Sequence, residues 1–118
     1  MIIGMGVDII EVRRLRQAVD KWGDGFLERV FTRKELKIAK TRSGLYQHLA
    51  GRFAAKEAVF KALGDQGLNW QDVQILNDKD GRPNCVILNG KGKNTDVHIS
   101  ISHVKNYAVA NAVITKKN

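Results

Sequence analysis

Apolar and small or polar residues alternate from Ile2 to Ile9, which is the two-residue period of a strand. Ile3, Met5, Val7 and Ile9 share one side, which we read as the core face. Ile2, Gly4, Gly6 and Asp8 share the other, and the two missing side chains leave room there for another group to come close. From Val12 the period lengthens. Val12, Leu15, Val19 and Trp22 make the apolar stripe of a helix, and Arg13, Arg14, Arg16 and Lys21 fall outside that stripe, on the solvent side. Gly23–Gly25 breaks the chain. Thr32-Arg33-Lys34-Glu35 has capping-box spacing and predicts a short helix to about Lys40. The longest helical pattern runs from Leu45 to Leu63 and ends at Gly64.

The remaining pattern is that of strands. Residues 65–69 read as a loop. Val73–Leu76 and Cys85–Leu88 are joined through Asp80-Gly81-Arg82-Pro83, a turn sequence that holds the single proline. Val97, Ile99 and Ile101 alternate with His98, Ser100 and Ser102 as one more strand. Tyr107–Ile114 is nearly all apolar and predicts a buried strand, with His103–Asn106 as the hairpin loop between the two. One strand, then helices, then several strands predicts an α+β fold, a mainly antiparallel sheet packed against a long helix and shorter ones. No repeat or linker divides the chain, so we expect one domain over residues 1–118.

Composition narrows the function. A chain of 118 residues buries only about two thirds of its unfolded surface, so self-association would help it. Twenty Lys and Arg against twelve Asp and Glu give a net charge of +8, which points to an anionic partner or substrate. One cysteine, Cys85, excludes an internal disulfide and a multi-cysteine zinc site and fits a reducing compartment. No stretch approaches ~18 apolar residues, so no membrane span is expected. The apolar start lacks a basic lead-in and reads as a strand rather than a signal peptide. We expect a cytoplasmic protein.

Two carboxylates stand out. Tyr46, Leu49, Ala50, Phe53 and Phe60 cluster on one face of the long helix, and Glu57 falls near its middle. A carboxylate aimed at a core is costly unless paired or metal-bound. Lys61 lies one turn on, and Arg52 and Lys56 border the opposite flank. The Glu57–Lys61 spacing fits a solvated ion pair or a carboxylate and an ammonium presented together in a cleft. Asp8 interrupts an apolar run near a strand end, where it either caps the following helix or coordinates a metal. Two carboxylates from separate elements suit Mg²⁺, which takes hard oxygen ligands and keeps several waters. His103, at a strand end, is either structural or a ligand for a phosphate or base. His48 and His98 have less to recommend them, and Cys85 reads as core. No zinc-type histidine spacing or phosphate-binding glycine loop is present. A small basic nucleic-acid-binding domain is the alternative that charge alone supports. The eight aromatics do not interleave with basic residues as a stacking platform would require, so no nucleic-acid partner is expected.

Several segments together resemble one family. Gly4-Met5-Gly6-Val7-Asp8-Ile9, Ala50-Gly51-Arg52-Phe53-Ala54-Ala55-Lys56-Glu57-Ala58, Lys61-Ala62-Leu63-Gly64, Ser100-Ile101-Ser102-His103 and Tyr107-Ala108-Val109-Ala110 are similar to holo-acyl-carrier-protein synthase, the short type of 4'-phosphopantetheinyl transferase. The resemblance implies transfer of the phosphopantetheine arm of coenzyme A to a serine of acyl carrier protein, with 3',5'-ADP released, in support of fatty acid biosynthesis. By the same resemblance Asp8 and Glu57 bind Mg²⁺ and Lys61 contacts the pyrophosphate. Glu57 and Lys61 are then catalytic, with either Glu57 or a metal-bound water taking the serine proton. Lys61, His103 and Arg52 meet coenzyme A, and Arg14 meets the acidic carrier. The family implies a homotrimer with coenzyme A between subunits. Two positions depart from the pattern. Ile10 stands where larger relatives have a further acidic residue, and Gly64-Asp65-Gln66-Gly67 replaces Gly-Thr-Gly after the long helix.

Overall fold

The computed structural model describes residues 1–64 and 67–117. It is α+β with antiparallel pairing in both sheets, as the pattern predicts. Strand β1 (Ile2–Glu11) leads into helix α1 (Val12–Val30), α2 (Arg33–Ala39) and the long α3 (Leu45–Leu63). A 3₁₀ turn (Trp70–Asp72) precedes β2 (Val73–Asn77), β3 (Pro83–Ile87), β4 (Thr95–His103) and β5 (Tyr107–Lys116). One sheet has the order β1-β5-β4, and β2 and β3 form a separate hairpin. Thr32 and Glu35 make the reciprocal capping box that starts α2. Gly64 ends α3 with φ 70°, a backbone shape that favours glycine. Of the predicted loop 65–69, Asp65 and Gln66 lie outside the described residues, as does the middle of Gly64-Asp65-Gln66-Gly67.

The orientation of β1 is the reverse of the expected one. Ile3, Met5, Val7 and Ile9 are 50–67% exposed, while Gly4, Gly6, Asp8 and Ile10 turn toward α3. The reason is backbone approach. A Cβ at Gly4 would collide with the Ala62 carbonyl oxygen, and one at Gly6 with that of Ala58. Glycine is what lets the helix lie on the strand. The same economy of side chain appears across the interface, where Ala54 and Ala58 of α3 share a buried cluster with Ala110 and Ala112 of β5. Only one face of β5 is buried, since Tyr107 and Val109 are exposed. The expectation of a strand buried on both sides is corrected accordingly.

Two further expectations change. Gly23 (φ 61°, ψ −143°) kinks α1, and the helix resumes beyond it instead of ending. The predicted stripe therefore stops short: Leu15 is buried, but Trp22 is 59% exposed with the Lys21 ammonium 4.9 Å from its ring. Pro83 opens β3 instead of sitting in the turn. Cys85 is core as expected, and burial pushes its thiol up to about 12.

Candidate active site

Close packing of α3 on the glycine face of β1 brings Asp8 and the last turns of α3 together. Lys61 Nζ donates to Asp8 Oδ1 at 3.0 Å and to the Val7 carbonyl at 3.0 Å. Lys61 thus bonds across to the strand, and the ion pair it makes is with Asp8. Asp8 does not cap α1, whose N-cap is Glu11 with no side-chain capping bond. Glu57, one turn before Lys61, lines the same cavity of about 600 Å³ as Asp8, Lys61 and Arg14. Phe53 and Phe26, ring centroids 6.5 Å apart, contribute apolar wall. Ile10 lines the cavity too, at the position of the missing acidic residue.

The electrostatics of this cleft are unbalanced. Burial raises the Glu57 pKa first, the Asp8 charge raises it further, and Lys61 only partly opposes them. Two carboxylates with hard oxygen donors, the Asp8 charge adding to the cost of ionising Glu57, are a fit for a divalent cation. Among the described residues no three His, Cys, Asp or Glu side chains converge as a metal cluster. A cation here would take two protein carboxylates and fill its remaining positions with water or substrate oxygens, the habit of Mg²⁺.

The other predicted residues lie elsewhere on the chain. His103 and Arg52 line a separate cavity of about 200 Å³ together with Arg42 and His48. Arg52 is 7% exposed and Nη2 donates to Asn77 Oδ1 at 2.6 Å. Burial, then the charges of Arg52, Arg42 and His103, lowers the His48 pKa to about 4. One chain therefore brings Asp8, Glu57, Lys61 and Arg14 together, and it holds His103 and Arg52 apart from them. His98 is exposed and shares a 2.9 Å hydrogen bond with Thr115 Oγ1, away from both cavities.

Pattern reading missed Arg42 and His48 in the basic cavity. It also missed a buried ion pair, Lys56–Glu35 at 2.7 Å. A signal for it was present: Ala50, Gly51, Ala54, Ala55 and Ala58 make a small-residue face on α3, and Leu49, Phe53 and Phe60 make an apolar face opposite it. A helix with packing residues on two opposite sides is covered on both, so a charge between them must be paired.

The 4'-phosphopantetheinyl transferase superfamily profile matches residues 4–112. A holo-[acyl-carrier-protein] synthase of Thermodesulfovibrio yellowstonii is 47% identical over 116 residues, spanning 98% of this chain and 100% of the relative. One from Protochlamydia amoebophila is 48% identical over 119 residues, spanning 96% and 98%. Among solved structures, a holo-(acyl-carrier-protein) synthase from Bacillus anthracis in complex with CoA (3',5'-ADP) superposes with TM-score 0.86 at 38% identity, covering 100% of this chain and 99% of the other.

Proposed function

The chain belongs to the 4'-phosphopantetheinyl transferase superfamily, and from that premise we propose a Mg²⁺-dependent reaction carried by the cleft between β1 and α3. The enzyme transfers the 4'-phosphopantetheine arm of coenzyme A to a serine of apo-acyl carrier protein and releases 3',5'-ADP. The serine oxygen forms a bond to the phosphorus on the pantetheine side, and the bond to the ADP phosphate breaks. Asp8 and Glu57 would hold the metal, and Mg²⁺ bound there would supply charge neutralisation for the phosphate groups. Glu57, which lines this cavity, or a metal-bound water accepts the serine proton. Lys61, half-exposed and within reach of the same space, steadies the charge on the departing ADP phosphate. Arg14, exposed at the cleft wall, meets the acidic carrier.

We further propose a homotrimer with coenzyme A between subunits. The support is the exposed apolar sheet face of Ile3, Met5, Val7 and Ile9, extended by Tyr107 and Val109 on the paired strand. A row of that size invites burial against another copy. It would also let the carboxylate cleft of one subunit meet the Arg52–His103 cavity of the next, which separate cavities on one chain require. Loading of the carrier serves fatty acid biosynthesis, and we place it in the cytoplasm.

The observation that carries the reading is the meeting of Asp8, Glu57 and Lys61 in one cavity. The test is direct. The protein is mixed with coenzyme A, Mg²⁺ and apo-carrier, and the carrier is weighed by mass spectrometry. The reading expects a phosphopantetheine increment that stops on chelation. An increment that persists after chelation removes the metal role, and no increment removes the activity.

A further inference from the structure

Lys56 precedes Glu57 in α3 and has no solvent exposure. Its ammonium has three donors and all are used. Nζ lies 2.7 Å from Glu35 Oε1, 2.8 Å from the Val30 carbonyl and 3.1 Å from the Trp70 carbonyl. Glu35 is equally committed. Oε1 also accepts from Thr32 N at 2.7 Å, and Oε2 accepts from Ile75 N at 2.8 Å. The two side chains thus tie α3 to the end of α1, the first turn of α2, the 3₁₀ turn and β2. Nothing in this hub is left over to bind a ligand. Its position is what matters, because it grips α3 at the residue beside Glu57.

We infer that the buried Glu35–Lys56 pair is a positioning device that sets the rotation of α3 and thereby aims Glu57 at Asp8; the inference rests on the cleft reading given above. The sheet-facing side of α3 fixes that rotation poorly. It is alanine and glycine, packed on the alanines of β5, and smooth small surfaces resist turning less than interlocked large ones. Fixed-length hydrogen bonds resist it directly. A side-chain end about 5–6 Å from the axis moves about 1 Å for a rotation of about 10°. A misplacement of about 1 Å can cost on the order of 10²-fold in rate.

The test uses two variants that keep the charges: Glu35→Asp, which shortens the reach, and Lys56→Arg, which lengthens it and replaces the ammonium with a planar guanidinium. Each is assayed for carrier loading with full kinetics and melted by circular dichroism, with Glu57→Ala alongside. The expected result is a folded protein with kcat lowered about 10–100-fold and the carrier KM within about twofold, since Arg14 sits on α1. A purely stabilising role would lower the melting temperature and leave kcat intact. Wild-type kcat in a folded variant overturns the inference, and so does loss of fold in both variants. If Glu57→Ala itself keeps full turnover, the cleft reading has failed instead. If Glu57→Ala is inactive while Glu35→Asp and Lys56→Arg turn over normally, only the positioning role has failed.

Discussion

Two cavities of this chain carry unbalanced charge of opposite sign. The cleft between β1 and α3 gathers Asp8, Glu11 and Glu57 against Lys61 and Arg14. The smaller cavity gathers Arg42, Arg52, His48 and His103. In each cavity burial first, and then the neighbouring charge, shifts one group. Glu57 is held above its ordinary range, and His48 is held down at about 4. The Glu35–Lys56 hub shows the other outcome, an ion pair buried more deeply than either cavity with every donor and acceptor met. Where charges are balanced within the fold they serve the fold. Where like charges crowd an open cavity, the empty protein bears a cost that a ligand of opposite charge removes. On the reading proposed above, a divalent cation would answer the first cavity and a phosphate the second.

The largest expected effect comes from erasing the negative side of that contrast. Glu57→Ala should lower carrier loading by about 10³-fold or more, the scale of losing a group that stabilises charge in the transition state. Its melting temperature should stay unchanged or rise slightly, because a crowded, partly buried carboxylate is gone. Near-normal loading by mass spectrometry would end the claim that this cavity does the chemistry. Arg52→Ala attacks the positive side and should act differently. Loss of a charged hydrogen bond worth about 1.5–3 kcal/mol should raise the KM for coenzyme A roughly 10–100-fold and leave kcat and the carrier KM much less changed. A fall in kcat with constant KM would assign Arg52 to the fold instead.

The contrast was only half visible in the sequence. Helix and strand positions were legible because capping box, glycine stop and turn residues act locally: α3 runs over the predicted residues, and α2 starts at its box. The direction in which β1 faces was not legible. Alternation marks two faces without saying which is inward, and apolar Ile3, Met5, Val7 and Ile9 lost the core to a glycine face that a helix backbone could reach. Asp8 and Glu57 were legible as misplaced carboxylates. Their partner Lys61 was legible only as a neighbour on the helix, because its bond to Asp8 spans 53 residues of sequence. Arg42 and His48 carried no local signal, since a loop cation and a helix-face histidine become a site only when β4 brings His103 beside them.

Mixing tests whether the two cavities are halves of one site. Glu57→Ala and His103→Ala chains are each expected to load carrier poorly alone. If coenzyme A spans neighbouring subunits, random trimers of the two should contain intact junctions. Equal mixing should restore roughly a quarter of wild-type turnover, because a working junction needs the His103→Ala chain on the cleft side and the Glu57→Ala chain on the other. No recovery, after subunit exchange is verified by native mass spectrometry, would confine each site to a single chain.

The smallest effect is on stability against pH, and it isolates the positive cavity. The His48 pKa falls from 6.5 in the unfolded chain to about 4 in the fold. Between those values the unfolded chain binds a proton that the folded chain refuses, so stability declines as pH falls from about 6.5 toward 4. Above that window the residue contributes no slope. Asp72 adds acid sensitivity of the same sign in a lower window, since hydrogen bonds from Asn69, Asn89 and Lys91 hold it at about 2 against 3.8. The two are separable by pH. His48→Gln should flatten the dependence of the melting temperature between pH 6.5 and 4 and leave the steeper loss below pH 4 in place. Bound phosphate should mimic it by offsetting the neighbouring cations that, after burial, hold His48 neutral. A His48→Gln profile that retains the wild-type slope through pH 5 would mean that the arginines do not crowd the imidazole, and the opposition between the two cavities would lose its positive half.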